Sequence, residues 1–365
     1  MLSLLSDSKA IQAFMSIKNS QFTIVRCGIL SVLLSCILSV SAMAQDAVYS
    51  QFMFDALSVN PGLAGINDYN KLTGGFRDHW VQVDHAYLTY FASYDQKIPS
   101  INSGAGLQVY RDVAGGVYSR TSAELFYSYQ FHLANDFIVS PGLQVAVVQR
   151  ALNVFGKTLP EENPYSGSGS TQVLENRSAF FPDFGFGVVA NYSDRYSLGI
   201  AAHHLNAPTE TLSEINQKRT PLSLSAHFIS YFPIRFGKFD KREMVFSPGA
   251  YFRQQQYQNF FQVGMNIAYD PVFVGVWLRT ASGFNPESTI FVVGLEQINY
   301  RIVYNYDYKL ATSKREFPAT GAHEIVLTWK IFPKEKMRTI KCSKFSLGKN
   351  SSSKNSSSKS SSSKK

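Results

Sequence analysis

The amino-acid sequence predicts an all-β protein, an antiparallel transmembrane β-barrel of about 14 strands with an N-terminal periplasmic segment before it and a disordered tail after it. Three observations predict this fold. The chain begins with an export signal, its body consists of segments of alternating polarity, and no run of 18 or more apolar residues follows the signal. Aromatic residues make up 14% of the chain and charged residues only 17%, which suits a protein with a large apolar surface.

Residues 1–44 have the features of a cleaved signal peptide. Lys18 and Arg26 precede an apolar stretch, and Ala42-Met43-Ala44 is a small-x-small cleavage site. We therefore predict that the mature chain begins at Gln45. A leader counted from Met15 has an ordinary length and one counted from Met1 is long, so the sequence leaves the start codon open.

A lipoprotein signal that ends at Cys36 is the alternative, and it is disfavoured because the apolar run continues through Val40. Cleavage after Ala44 leaves Cys342 as the only cysteine. One cysteine excludes an intramolecular disulfide and a cysteine-based structural zinc site.

The formal charge of +9 does not indicate nucleic-acid binding once it is located. The chain has 35 basic and 26 acidic residues, of which ten and one lie from Pro333 onward. The rest of the chain therefore carries 25 of each sign and no basic patch with groove-reading elements. Serine runs with interspersed lysines follow Ser351, and we predict that this composition is disordered.

The body repeats segments of about ten residues in which apolar and polar side chains alternate between turn residues. Successive side chains of a strand point to opposite faces, so each segment can present an apolar row to outer-membrane lipid and a polar row to an interior. One apolar row is Ala123, Leu125, Tyr127, Tyr129, Phe131 and Leu133, and the opposite row is polar except for Phe126. The predicted strands begin near Leu72, Tyr87, Gly104, Thr121, Phe137, Pro182, Tyr196, Pro221, Val245, Asn259, Val272, Thr289, Arg301 and Ala322.

A soluble β-sandwich shows the same alternation, with its apolar rows facing a core. The export signal, the glycine-rich and charged polar rows and the aromatic residues at segment ends favour a membrane barrel. An even number of strands places both chain ends on one side, which in bacterial barrels is the periplasm. The predicted organisation is a signal peptide at 1–44, a motif segment at 45–70, the barrel at 71–332 and a basic periplasmic tail at 333–365.

Charged side chains on the polar rows are expected in the lumen, either paired as a plug or lining a channel, because unpaired charge in a dry space is costly. These are Arg77, Arg111, Glu124, Asp183, Arg253, Arg279, Glu296 and Glu324. The pairs His203-His204 and His323-Glu324 are adjacent in predicted strands, so their side chains should point to opposite faces. We accordingly predict no catalytic residue, metal site or cofactor.

The start of the mature chain resembles the opening of the PorP/SprF family. The resemblance rests on Gln45-Asp46, on Tyr49-Ser50-Gln51-Phe52-Met53-Phe54 and on Asn60-Pro61-Gly62-Leu63-Ala64-Gly65. Later blocks also resemble the family, among them Phe76-Arg77-Asp78-His79-Trp80 and Gly275-Val276-Trp277-Leu278-Arg279. Ile340-Lys341-Cys342-Ser343-Lys344-Phe345 is similar to its closing motif, with Ser343 in place of the usual proline. The serine-lysine extension is not typical of the family.

The resemblance implies an outer-membrane protein of the type IX secretion and gliding-motility machinery of Bacteroidota. It implies periplasmic ring and peptidoglycan-binding components as partners and adhesins with a C-terminal sorting domain as cargo. The resemblance then places residues 51–65 in the periplasm or just inside the barrel mouth, where they dock partners or plug the barrel. The partner-binding residues that it predicts are Gln51, Phe52, Asn60, Pro61, Gly62, Gly65 and Cys342. Alternatively, Asn60-Pro61 and Gly65 only shape a turn into the first strand. A porin or apolar-solute transporter, and a soluble secreted adhesin, are the other functions that the sequence leaves open.

Overall fold

A computed structural model describes residues 50–83, 86–134, 136–153, 176–209, 219–234, 244–281, 284–310 and 321–332. The predicted signal peptide, the tail from Pro333 and both chain ends lie outside these residues. Among them, none of the helices has the length and apolarity needed to span a membrane.

The described chain is one antiparallel sheet preceded by a short irregular segment. That segment contains a one-turn α-helix, Ala56–Val59, and a 3₁₀ turn, Pro61–Leu63; a second 3₁₀ turn is Pro99–Ile101. The strands are β1 (Asn70–His79), β2 (Tyr87–Ile98), β3 (Ser103–Ala114), β4 (Tyr118–Tyr129), β5 (Phe131–Ala134), β6 (Phe137–Leu152), β7 (Arg177–Tyr192), β8 (Tyr196–His203), β9 (Ser223–Ser230), β10 (Phe232–Ile234), β11 (Met244–Gln255), β12 (Gln258–Tyr269), β13 (Val272–Ala281), β14 (Asn285–Glu296), β15 (Tyr300–Lys309) and β16 (Ala322–Ile331).

The sheet closes into a barrel because its first and last strands pair. β1 pairs with β16 from Asn70↔Ile331 to His79↔Ala322, and β9 pairs with β11. The short β5 and β10 continue the paths of β4 and β9 after a break at Gln130 and Tyr231. Counted by path, the barrel therefore has 14 strands, which confirms the predicted fold.

The two rows of each strand separate as the alternation predicts. In β4, Leu125 and Leu133 of its continuation are exposed on the outer face, whereas Ser122 and Ser128 are buried. Phe126, the apolar member of the polar row, is also buried and packs against Leu57 of the segment before β1. The inner face is therefore mostly polar, with an apolar contact where Phe126 meets that segment.

The barrel has one end with short connections and one with longer ones. The turn end carries residues 99–102, 135–136, 193–195, 270–271 and 297–299, and its longest connection is 235–243. The loop end carries the longer connections 153–176, 204–222 and 310–321. β1 begins and β16 ends at the turn end.

A row of aromatic rings follows the outside of the turn end. Neighbouring ring centroids are between 6.0 and 6.5 Å apart. The row crosses five strands and consists of Phe137, Tyr192, Tyr196, Phe232 and Phe246. Aromatic side chains in such a row are typical of a membrane-water interface.

Candidate functional site

Residues Ser50–Tyr69 lie inside the barrel and form what we call the plug segment. Nearly every residue of the segment is buried, although it contains no long helix or strand. It contacts residues of β16 and β1 near the loop end at Ser50, and Lys97 of β2 near the turn end at Asp68. The segment therefore crosses the lumen from the loop end to the turn end before β1 begins. Ser50 and Ile331 thus lie at opposite ends of the barrel, so within the described residues the two ends do not lie on one side as predicted.

An arginine–carboxylate cluster holds the loop-end start of the plug segment. Arg77 pairs with Asp307 at 3.0 Å and with Glu324 at 3.2 Å, and Arg279 pairs with Asp307 at 3.1 Å. All four side chains are buried. Two arginines and two carboxylates leave no net charge in the cluster, as a buried ionic group requires.

Ser50 connects this cluster to the plug segment. Its backbone nitrogen donates to Glu324 at 2.7 Å, and its hydroxyl accepts from Arg77. Its carbonyl accepts from Gln262 at 2.9 Å and from Arg279 at 3.2 Å. The backbone nitrogen, the carbonyl and the hydroxyl of Ser50 are thus all hydrogen-bonded to side chains of the barrel wall.

Aromatic side chains fix the next residues of the plug segment. Phe52 stacks on Tyr251 with ring centroids 5.0 Å apart and meets Trp277 edge-on at 5.5 Å. Phe54 packs against Phe273 at 5.9 Å. Burial of such rings is worth several kcal/mol per side chain, so these contacts stabilise the docked segment.

Asp55 is a fully buried carboxyl in the middle of the plug segment. Burial raises its pKa to about 6, although hydrogen bonds from Ser58 and Gln108 lower it in part. The Ser58 hydroxyl lies 2.5 Å from Asp55 Oδ2, and Gln108 Nε2 donates to the same oxygen at 3.1 Å. The carboxyl therefore joins the plug segment to β3.

Asn60 holds the plug segment to the wall through three hydrogen bonds. Its Nδ2 donates to the carbonyls of Val188 at 3.2 Å and Ile200 at 2.9 Å, and its Oδ1 accepts from Gly62 N at 2.8 Å. The last bond caps the 3₁₀ turn that Pro61 begins. Asn60-Pro61 shapes a turn, as one reading of the motif predicts, and the same asparagine also binds the barrel.

Glycines of the wall make room for this turn. A Cβ added to Gly142 would lie 2.3 Å from the backbone carbon of Pro61, and one added to Gly104 would lie 2.1 Å from the oxygen of Ala64. Gly65 has a φ of +60° and its own Cβ would meet Gln96 O at 2.5 Å, so it fits only as glycine. The glycines of the polar rows therefore allow close approach of the plug segment.

A cavity lies between the plug segment and the wall, in the half of the barrel toward the loop end. It has a volume of about 90 Å³. Its aromatic lining is Phe52, Tyr110, Tyr251 and Phe260, and its charged and imidazole lining is Arg120, Glu124, Asp183, His203, His204 and Arg253. Ser58, Val59, Gln144 and Ser225 complete what we call the loop-end cavity.

Both members of the His203-His204 pair line this cavity, which corrects the expectation of opposite faces. β8 ends at His203, and His204 has a φ of +61°, so the strand alternation does not extend to it. His203 Nδ1 lies 2.7 Å from Gln144 Oε1, and His204 Nδ1 lies 2.7 Å from Asp183 Oδ2. His323 and Glu324 do lie on opposite faces: His323 meets Tyr304 Oη on the outside, and Glu324 joins the inner cluster.

Seven of the eight predicted lumen charges lie on the inner face. Arg77, Arg279 and Glu324 belong to the arginine–carboxylate cluster, and Glu124, Asp183 and Arg253 line the loop-end cavity. Glu296 pairs with Arg301 at 2.9 Å and with Lys330 near the turn end. The prediction is wrong for Arg111, which is exposed and shares the outward row of Leu107 and Val109 in β3.

The predicted partner-binding residues are buried in contact with the wall. Gln51 and Phe52 are 1% and 3% exposed, and Asn60, Pro61, Gly62 and Gly65 are buried as well. The Gln51 amide has no hydrogen-bond partner among the described residues. Phe52 and Asn60 of the motif contact the wall, and Cys342 lies outside the described residues.

Several functional side chains are missing from the sequence prediction. Asp307 bridges the two arginines of the cluster, Asn305 donates to Glu324 at 2.8 Å, and Arg120 lines the cavity. All three lie at positions whose side chains point inward in the alternation of their strands, so the alternation alone could have identified them. Among the described residues, no three His, Cys, Asp or Glu side chains are grouped to hold a metal ion.

The closed 14-strand barrel with its polar inner face and apolar outer face defines the class: this chain is an outer-membrane β-barrel protein. It belongs to the PorP/SprF family of type IX secretion system membrane proteins, whose family model matches residues 41–329. This match confirms the resemblance seen in the sequence.

Solved outer-membrane proteins show a distant likeness to the chain. The toluene transporter TbuX of Ralstonia pickettii is 9% identical, with a TM-score of 0.46 over 76% of this chain and 94% of that one. Omp33 of Acinetobacter baumannii is 7% identical, with a TM-score of 0.41 over 73% and 100%. These values are too low to transfer a ligand or an activity. No curated protein sequence matches the chain.

Proposed function

We propose that this protein is a non-enzymatic outer-membrane component of the type IX secretion and gliding-motility machinery. In this proposal it docks periplasmic ring components and assists the export or surface attachment of adhesin cargo. Family membership supports the secretion role. The observation that carries the proposal is the plug segment, because a lumen crossed by a buried chain favours a docking barrel over an open diffusion pore.

We propose that the turn end faces the periplasm and the loop end faces the cell exterior. Short turns on the periplasmic side and longer loops outside are the usual arrangement of bacterial barrels. β16 ends at the turn end, at Ile331, so the basic chain from Pro333 onward would start in the periplasm. A basic periplasmic extension that includes Cys342 is a suitable contact for ring and peptidoglycan-binding components.

The test compares cells that lack the gene with cells that carry it. Surface display of adhesins is measured with antibodies on intact cells, and uptake of a small hydrophilic solute is measured in the same cells. The proposal expects display of particular adhesins to be lost and uptake to be unchanged. Loss of uptake with normal display would instead support the porin or transporter function and overturn the secretion role.

Crosslinking tests the partner side of the proposal. A photoreactive residue replaces Cys342 in one strain and exposed Tyr257, in the loop-end turn between β11 and β12, in a matched strain. Capture of ring components from position 342 and not from position 257 supports periplasmic docking. Capture of ring components from position 257 alone would reverse the proposed orientation.

A further inference from the structure

We propose that the outer face of β2, β3, β4 and β6 near the loop end binds the phosphate-bearing headgroup of an anionic membrane lipid. The binding residues are Tyr90, Arg111, Thr121 and Gln149, which we call the outer donor row. The site depends on the place of the barrel in a membrane and not on the secretion role or on which end faces the periplasm.

The outer donor row is one continuous line across four strands. Arg111 of β3 pairs directly with Tyr90 of β2 and with Thr121 of β4. Thr121 in turn pairs with Gln149 of β6. The Cβ atoms of directly paired residues on one face of a sheet are about 4.5–5.5 Å apart, so Arg111 and its two neighbours can reach the same phosphate group.

Arg111 carries a positive charge on the outside of the barrel. It is exposed on the outward row of β3, between Val109 and Val113. Within the described chain, no side chain forms an ion pair or a hydrogen bond with its guanidinium group. The carboxylates of β2, β3, β4, β6 and β7 lie on inward rows, and the outward Asp78 is two strands away on β1. The charge of Arg111 is therefore available to a ligand.

The same strands are apolar on the outside between the outer donor row and the turn end. Between 46% and 60% of each of these side chains is exposed, and they are Leu107, Val109, Leu125, Val145 and Val147. Apolar side chains in such positions face the acyl chains of lipids. A lipid-facing arginine is costly in the middle of a membrane and costs little near its surface. The outer donor row therefore marks the level of the lipid headgroups.

Aromatic side chains at both ends of the row indicate the same level. Tyr90 contacts Phe76 with ring centroids 5.1 Å apart. Phe180, which pairs with Gln149 at the other end, is 67% exposed. Aromatic rings on the outside of a barrel are typical of the boundary between acyl chains and headgroups.

The donors of the row fit a phosphate group. A guanidinium group offers two parallel N–H donors to two oxygens of one phosphate. The Thr121 hydroxyl and the Gln149 amide can each add a donor. A zwitterionic lipid such as phosphatidylcholine also has a phosphate, but its cation would find no carboxylate on the outward rows of these strands. A lipid whose phosphate carries the full negative charge is therefore favoured.

Lipid binding is tested by native mass spectrometry on the full chain in a neutral detergent. The probes are phosphatidic acid, phosphatidylcholine and inorganic phosphate. We expect phosphatidic acid to bind about tenfold more tightly than phosphatidylcholine, and Arg111→Gln to weaken its binding by about tenfold. Thr121→Val should weaken it by about fivefold, because one neutral hydrogen bond is lost. Inorganic phosphate should bind more weakly than either lipid, because it has no acyl chains to contact the apolar surface.

Arg195→Gln is the matched control, because Arg195 is an exposed arginine in the turn between β7 and β8 at the other end of the barrel. It removes the same charge and should leave the binding of phosphatidic acid unchanged. Heat-dependent gel mobility shows that each variant is folded.

Four results would each overturn the proposal. The two lipids bind equally well, or Arg195→Gln weakens phosphatidic acid binding as much as Arg111→Gln does. Arg111→Gln leaves the binding unchanged, as expected if lysines of the tail bind the lipid. Inorganic phosphate binds as tightly as phosphatidic acid, which would make the row a site for free phosphate. Adhesin display reports on the secretion role separately.

Discussion

The side-chain nitrogen of Asn60 lies 2.9 Å from the carbonyl oxygen of Ile200, so a residue of the plug segment is bonded to the backbone of the barrel wall. The same nitrogen reaches the carbonyl of Val188, which pairs with Ile200 across β7 and β8. One amide therefore bridges two strands and also caps its own turn. This contact gives the plug segment a register on the wall that packing alone would not specify.

We expect Asn60→Ala to weaken docking of the plug segment by about 2–4 kcal/mol, because it removes three hydrogen bonds of about 1 kcal/mol each from a buried contact. Trp277 is a suitable reporter, since it is fully buried against Phe52. In a background with Trp80→Phe and Trp329→Phe it is the last of the three tryptophans. Its emission should shift to longer wavelength at lower urea concentration in the variant.

Asn206→Ala is the control for this change. Asn206 also donates to a carbonyl, that of Pro182 at 2.7 Å, but it lies exposed outside the plug segment. It should leave the urea midpoint of Trp277 emission unchanged. An equal shift in both variants would show that the Asn60 contact has no special role in docking.

Gly142→Ala should displace the plug segment without disturbing the strand. The added Cβ would lie 2.3 Å from the backbone carbon of Pro61, and overpacking of this kind costs about 1–3 kcal/mol or more. Gly74→Ala is the matched substitution, since the nearest atom to its added Cβ is 3.9 Å away. Trp277 emission in urea should move only for the Gly142 variant, and a shift for Gly74 alone would contradict the assigned contact.

The strands were predictable because side chains that face lipid are apolar and side chains that face the lumen are mostly polar, so the two alternate along each strand. Most predicted starts lie within three residues of the observed ones, and the largest difference is at β7, which begins at Arg177 instead of Pro182. The parity that predicts Tyr304, Tyr306 and Tyr308 outside also places Asp307 inside. The same alternation places Arg111 on the outward row of β3. The wrong prediction for Arg111 therefore came from its charge and not from its position in the strand.

Docking of the plug segment could not be predicted in the same way. Its contacts join residues far apart in the chain, such as Ser50 and Glu324, and no local periodicity encodes them. His204 escapes the alternation because its positive φ follows the end of β8. The glycines of the polar rows were visible in the sequence, but the surface that they accommodate was not.

Arg77→Leu should release the plug segment at its loop-end start. Without Arg77, the cluster keeps the carboxylates of Asp307 and Glu324 but has Arg279 alone to balance them. Breaking a buried ion pair in this way costs about 3–5 kcal/mol. Arg111→Leu is the control, because Arg111 is exposed on the outer row and its loss should cost less than about 0.5 kcal/mol. Both are compared by urea titration of Trp277 emission.

A second substitution separates charge balance from packing at this cluster. Glu324→Gln in the Arg77→Leu background removes the excess carboxylate while it retains an acceptor for Ser50 N. It should recover part of the lost stability. A double variant that is less stable than Arg77→Leu alone would show that the unbalanced charge is not what destabilises the cluster.

Docking of the plug segment should weaken as pH rises from about 4 to about 6. The pKa of Asp55 is raised by burial from its ordinary 3.8 to about 6, so the docked state binds a proton more tightly than the released state. The stabilisation from this proton is complete below pH 4 and is lost as pH passes through 6. A difference of about two pKa units corresponds to about 3 kcal/mol.

Asp55→Asn tests this dependence directly. The amide has no charge to bury and can still bond Ser58 and Gln108, so the urea midpoint of Trp277 emission should stay level between pH 4.5 and pH 7.5. In the parent chain the midpoint should fall over the same range. A parent chain that is equally stable at both values would show that Asp55 is not titrated on docking.

Deletion of residues 50–64 should open the barrel to ions. An eight-stranded barrel is filled by its own side chains and wider barrels enclose channels, so a 14-strand barrel without the plug segment should leave a water-filled lumen. The glycines and small polar residues of the inner rows, including Gly104, Gly142 and Ser128, would then border empty space.

In planar bilayers the parent chain should show no steady conductance, and the chain that lacks residues 50–64 should show a stable open level. Deletion of residues 351–365, a stretch of the same length in the tail, should behave as the parent chain does. A parent chain that conducts as well as the deletion would favour an open pore and remove the main support for a docking barrel.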